Sequence, residues 1–162
     1  MLISNLGRTR TKLLTSFQDL SDEQLNQNPS NKSWSIAQVL HHLYTSEKAM
    51  AGLVLDALQA KTEKVEEKDL TFITDRTKKS KAMSEPPNEM ITKENLLQLL
   101  EKSRFQHLQF VFNETHERIL AKKSMKHQDF GVISLKNAVD LIWLHEKRHI
   151  YQIHEIREKL NL

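Results

Sequence analysis

Apolar side chains recur at every third or fourth position over four long stretches of the chain, separated by shorter stretches without that rhythm. Spacings of three, four and seven place residues on one face of an α-helix, which then has a face to bury. Over about residues 2–18 the pattern is carried by Leu2, Leu6, Leu13, Leu14 and Phe17, and the polar stretch from Ser21 to Lys32, with Pro29, ends it. A second helix is expected from Ser35, because Ser35-Ile36-Ala37-Gln38 fits a capping box, with a hydroxyl at the N-cap and an amide three residues later. Its stripe runs Ile36, Val39, Leu40, Leu43, Met50, Val54 and Leu58. The third helix is predicted from an N-cap at Thr92 to about Ala121, through Leu96, Leu99, Leu100, Leu108, Val111 and Ile119. Ser134 caps the fourth, which runs nearly to the C-terminus through Leu135, Ala138, Leu141, Ile142, Ile153, Ile156 and Leu160.

Four amphipathic helices predict an all-α four-helix bundle built from residues 1–162 as a single domain, with one core and no β-sheet. Composition points the same way: Gly and Pro number three each, too few for a fold that needs a turn every ~8–12 residues. About residues 61–91, between helices two and three, show no sustained period. A crossover this long is required if those helices lie parallel; a lid is the other reading of such a loop.

Candidate chemistry is narrowed by what the chain lacks. With no cysteine, disulfides, thiolate-ligated zinc and a cysteine nucleophile are excluded, so a metal must be held by His, Asp or Glu and any reacting thiol must come from outside. The net charge of +3 is spread over mixed runs such as Lys61-Thr62-Glu63-Lys64-Val65-Glu66-Glu67-Lys68, a solvated surface and not the segregated positive face of a nucleic-acid binder. No apolar run approaches the ~18 residues of a membrane span, and Met1 to Leu6 lacks the pattern of a signal peptide; a cytoplasmic location is expected.

Among eight histidines, two stand out by position. On the fourth helix His149 lies roughly 40° from His145, and both fall in the middle of the apolar stripe. One turn apart on one face, they can direct two ring nitrogens at one ion, and burial leaves each with a polar nitrogen to satisfy. The stretch His145-Glu146-Lys147-Arg148-His149 also reads H-E-x-x-H, a zinc-protease motif. Here Gln152 stands where a glycine turn would follow, the helical stripe continues through Ile153 and Ile156, and no strand-rich segment could line a peptide, so that reading is set aside. A third ligand must come from elsewhere. His41 and His42 on the second helix both flank the stripe, and geometry alone does not choose between them. His154 faces away from the stripe, and His107, His116 and His127 have no partner at ligand spacing.

Trp34-Ser35-Ile36-Ala37-Gln38-Val39-Leu40-His41-His42-Leu43 resembles the W-S-[IV]-x-[EQ]-[IV]-[LV]-x-H-L segment of the DinB/YfiT-like superfamily. Phe130-Gly131-Val132-Ile133-Ser134-Leu135, with His145, His149, Gln152 and Ile153 after it, is similar to that family's C-terminal half. The resemblance implies a bundle with a long crossover, a homodimer, and a divalent metal held by three histidines, carried here onto His42, His145 and His149. Zinc and nickel both suit imidazole ligands. It also implies a small-molecule substrate, and either a thiol S-transferase using a low-molecular-weight thiol such as bacillithiol or a metal-dependent hydrolase; a non-catalytic metal- or ligand-binding bundle of stress-response type is the alternative. Glu146 is the candidate to orient a ligand or accept a proton, and Arg148 the candidate to meet an anionic substrate. Trp34 and Trp143 are read as packing residues. Trp143, Leu144 and Tyr151, on the outer face of the fourth helix, need cover from another element or a second subunit.

Overall fold

A computed structural model describes residues 1–82 and 84–162. The chain forms α1 (Leu2–Phe17), a short α2 (Asp22–Leu25), α3 (Ile36–Gln59), α4 (Lys93–Lys102), α5 (Gln109–Glu114), α6 (Glu117–Leu120), a hairpin of β1 (Ser124–His127) and β2 (Gly131–Ser134), and α7 (Leu135–Leu160). A π-helical segment, Ser103–Leu108, joins α4 to α5 into one continuous rod, the third helix of the bundle. The predicted caps are present. Ser35 and Gln38 form both halves of the capping box, at 3.1 and 2.9 Å, and the hydroxyls of Thr92 and Ser134 accept from the N–H groups of Asn95 and Asn137. Among the described residues no helix is long and apolar enough to cross a membrane.

Contacts at the helix ends fix the topology. Asn26 exchanges hydrogen bonds with the backbone of Ile91, Asp22 accepts from the N–H of Lys93, and Gln38 donates to Pro87 O, so the crossover returns the chain to the beginning of α3. Helices two and three therefore run in one direction. The side chain of Asn137 pairs with both backbone groups of Lys68 at the start of α7, while Arg157 near its end reaches the carbonyl of Ser16 in the last turn of α1 and Asp19 just beyond it. The first and fourth helices thus run opposite to the other two, the all-α four-helix bundle with a long crossover that the pattern predicts.

Three expectations are corrected. A two-stranded antiparallel sheet exists, pairing Ser124 with Ser134 and His127 with Gly131. Gly131, at φ +70°, closes its three-residue loop in the left-handed region that glycine tolerates. The third helix also stops short of Ala121: Thr115 and His116 are extended, and the restart over Glu117–Leu120 buries Leu120 and exposes Ile119. The outer face of α7 is largely covered by the chain itself, one of the two covers expected for it. Leu144 is buried and Trp143 half-buried, with only Tyr151 well exposed, so this face does not by itself call for a second subunit. The third correction is Arg148 beside it, which is bound by the crossover. Its guanidinium donates to the carbonyls of Ile73, Asp75 and Lys78 at 2.6–2.9 Å, leaving no role as the predicted anion anchor.

The core is divided by a layer of charge. One apolar half gathers Leu2, Leu6, Val54, Leu108, Val111, Leu135 and Leu141, the other Leu13, Phe17, Ile36, Leu40, Leu96, Leu100, Ile150 and Ile153. Between them lie Arg10, Glu47, Arg104 and Glu146, one from each bundle helix, with Glu47 only 4% and Glu146 only 1% exposed. Arg10 Nη2 donates to Glu47 at 3.0 Å and to Glu146 at 3.1 Å; Arg104 donates to Glu47 at 2.8 Å and to Glu146 at 3.0 Å. Each arginine also crosses to a backbone carbonyl of another helix, Arg10 to Leu100 and Arg104 to Leu6, both at 2.9 Å. The π segment widens the third helix where Arg104 enters this layer, a local change in register that an α-helix alone would not provide. Removing one member of a buried ion pair leaves its partner uncompensated, at a cost of about 3–5 kcal/mol. Glu47→Ala is therefore expected to lose about that much stability in urea unfolding, whereas Tyr151→Ala, at an exposed site, should fall within roughly 0.5 kcal/mol of the parent.

Candidate metal centre

The histidines that form the cluster come from two helices. His145 and His149 are one turn apart on α7, and His42 reaches them from the facing side of α3. His145 Nε2 lies 3.2 Å from Nε2 of His42 and 3.0 Å from Nε2 of His149, and the three candidate ligand atoms all fall within 4.8 Å of one another. The rings meet edge to face, with centroids 4.5–4.9 Å apart, so each turns a nitrogen toward a common centre.

Several neighbours fix this arrangement. His149 Nδ1 lies 2.6 Å from Gln152 Oε1, an acceptor; the proton therefore sits on Nδ1, and Nε2 presents a lone pair inward. Burial pushes the pKa of His145 down to about 3, helped by His42 and Arg148. Burial, then His145 and His42, holds His149 well below its ordinary value of 6.5, and burial lowers His42 as well. All three rings are held in the neutral form that ligates metal.

The donor set fits a cation. With His149 Nε2 a lone pair, one proton on His145 Nε2 can serve only one of its two neighbours. Ligands about 2.0–2.1 Å from a tetrahedral zinc ion stand roughly 3.3 Å from each other, close to the two nitrogen separations found here. The cluster could therefore coordinate a metal ion.

The other predicted residues lie elsewhere. His41, next to His42 in the chain, faces away beside Tyr44, at a centroid distance of 6.0 Å, and its buried Nδ1 has no hydrogen bond among the described residues. Among the described residues Glu146 makes no hydrogen bond to a clustered histidine: its Oε2 accepts from Arg10 and Arg104, and its buried Oε1 has no partner. The side chain lies in the charged layer, where burial pushes its carboxyl pKa upward and the two arginines offset that in part. His154 and His116 are exposed, and His127 stacks on Phe130 in the hairpin. A groove of about 310 Å³ opens between α1 and the π segment, lined by Arg10, Arg104 and Phe105, and contains none of the clustered histidines.

Two features around the cluster were not predicted from the residues. Trp34, read as packing, sets its ring 5.2 Å from that of His42 and donates from Nε1 to Glu85 at 3.0 Å. Arg76 pairs with Glu155, one turn beyond Gln152 on α7. Both Glu85 and Arg76 belong to the crossover, where no periodicity marks a residue as facing inward.

A family model of the DinB superfamily matches residues 5–153. YuaE of Bacillus subtilis (strain 168), an uncharacterized protein, is 34% identical over 98% of both chains. Among solved structures, YfiT from Bacillus subtilis, described as "a probable metal-dependent hydrolase with an unusual four-helix bundle topology", superposes with a TM-score of 0.67 at 20% identity, over 99% of this chain and 86% of its own. TT2238, a four-helix bundle protein, gives 0.65 at 16% identity over 95% and 96%. At those identities the two structures speak to the fold alone. The family pattern, however, runs through nearly the whole sequence and brackets all three clustered histidines, and the chain belongs to the DinB superfamily.

Proposed function

We propose that His42, His145 and His149 hold a divalent ion, zinc or nickel, and that the chain is a metal-dependent enzyme acting on a small molecule. The reaction is hydrolysis, or transfer of a low-molecular-weight thiol such as bacillithiol. The observation that carries this reading is the convergence of three neutral imidazoles on one point, with the His149 tautomer set by Gln152. The description of YfiT as "a probable metal-dependent hydrolase" supports it. An ion bound there supplies a Lewis acid and a means of generating a nucleophile at neutral pH.

The protein's own contribution is positional. Three histidines leave coordination positions open, as in catalytic and not structural sites. Trp34 packs against His42 and shields that side of its ring, and Gln152 holds His149 in a single orientation. Arg10 and Arg104 hold Glu146 in the charged layer through its Oε2. A homodimer is proposed on the family resemblance.

Metal analysis of protein purified without added metal should find a stoichiometric divalent ion. His149→Ala should lose most of it, together with any hydrolytic or thiol-transfer activity, while His41→Ala should retain it, since His41 points away. At a free metal concentration ~100 times Kd the ion adds about 2.7 kcal/mol of stability, so His149→Ala should also lose its metal-dependent rise in Tm. Equal metal content in the two variants would overturn the ligand assignment.

A pH dependence follows for the metal-free protein. The folded-state pKa of His145 is about 3, below its ordinary 6.5, so between these values the unfolded chain binds more protons. Its contribution to stability is complete above pH 6.5 and falls as the pH drops toward 3, by at most roughly 1.4 kcal/mol per pH unit for one group. After chelation, the drop in Tm between about pH 7 and pH 5 should be smaller in His145→Gln than in the parent.

A further inference from the structure

Two side chains of the crossover bring opposite charges to the two sides of the histidine cluster. On the α3 side, Glu85 Oε2 accepts from Trp34 Nε1 at 3.0 Å, and the Trp34 ring lies 5.2 Å from His42. Among the described residues Glu85 Oε1 has no hydrogen bond. On the α7 side, Arg76 Nε and Nη2 donate to Glu155 at 3.3 and 3.2 Å, leaving Nη1 without a hydrogen bond among the described residues. Glu155 lies one turn past Gln152, which itself holds His149.

The remaining charges nearby are committed. Arg148 gives its donors to three carbonyls of the crossover. Glu155 shares Arg76, but the side chains of that pair are 42% and 26% exposed, and exposed pairs of this kind contribute little net energy. A ligand carboxylate can join or displace Glu155 on the guanidinium, which presents a second edge for a second oxygen.

We propose that the site takes a small zwitterion, with its carboxylate on Arg76, its ammonium on Glu85, and its reacting group between them at His42, His145 and His149. This rests on the reading that the three histidines hold an ion, and it names the class of molecule that the ion acts on. An amino acid such as cysteine has that charge pattern. A molecule with one charge satisfies one wall only, and a neutral one satisfies neither.

The test uses the full chain loaded with cobalt(II), whose absorption reports a thiol entering the coordination sphere. Binding of L-cysteine, cysteamine and 3-mercaptopropionate is titrated on the parent, on Arg76→Gln and on Glu85→Gln. Arg76→Gln should weaken L-cysteine and 3-mercaptopropionate by roughly tenfold, the effect of one charge-assisted hydrogen bond, and leave cysteamine unchanged. Glu85→Gln should weaken L-cysteine and cysteamine and leave 3-mercaptopropionate unchanged. Variants that weaken all three thiols equally, or none, overturn the zwitterion while leaving the metal reading intact. Failure of the parent to take up cobalt overturns both.

Discussion

The ion-paired layer of Arg10, Glu47, Arg104 and Glu146 is satisfied only when all four helices present their residue at one height and one rotation, because each carboxylate faces both guanidiniums. Apolar packing is tolerant of small slips and rotations, since one leucine can replace another against a smooth wall. Buried charge is not: a slip of one turn would leave two ions in a dry interior without partners. The two apolar halves of the core supply the driving force for collapse, and the layer between them selects which collapsed arrangement survives.

The same selection places the metal centre. Glu146 is the chain neighbour of His145, and Glu47 follows His42 by five positions, about 7.5 Å along a helix axis. Fixing the two carboxylates therefore fixes the rotation and height of α3 and α7 where their histidines meet. The charged layer is distinct from the histidine cluster yet governs whether three nitrogens can stand within bonding distance of one point.

How much of this was legible in the sequence depended on periodicity. The four helices, the caps at Ser35, Thr92 and Ser134, and the pairing of His145 with His149 all follow from spacing on a regular helix. The choice of His42 over His41 did not, because both flank the stripe; family resemblance supplied it. Regular spacing also misled at Glu146, whose position beside the stripe suggested the site, while its partners lay on two other helices. Charged residues within apolar stripes, Arg10 between Leu6 and Leu13 and Glu47 between Leu43 and Ala51, were the available signal for the layer. The π segment and the extended Thr115 and His116 break the 3.6-residue period that the prediction assumed, so the end of the third helix was misplaced. In the crossover there was no period to read.

The way in which Arg148 holds that crossover bears on how such a protein changes over generations. Its guanidinium recognises the carbonyl oxygens of Ile73, Asp75 and Lys78, and carbonyls are common to every amino acid. The path of the strap is thus maintained from α7 and depends little on which side chains the strap carries. Substitutions at positions such as Arg76 and Glu85 can alter what approaches the histidines without moving the backbone that presents them. A lineage built on this scaffold can revise its chemical preferences by drift in one segment, with the four helices and their charged layer left untouched.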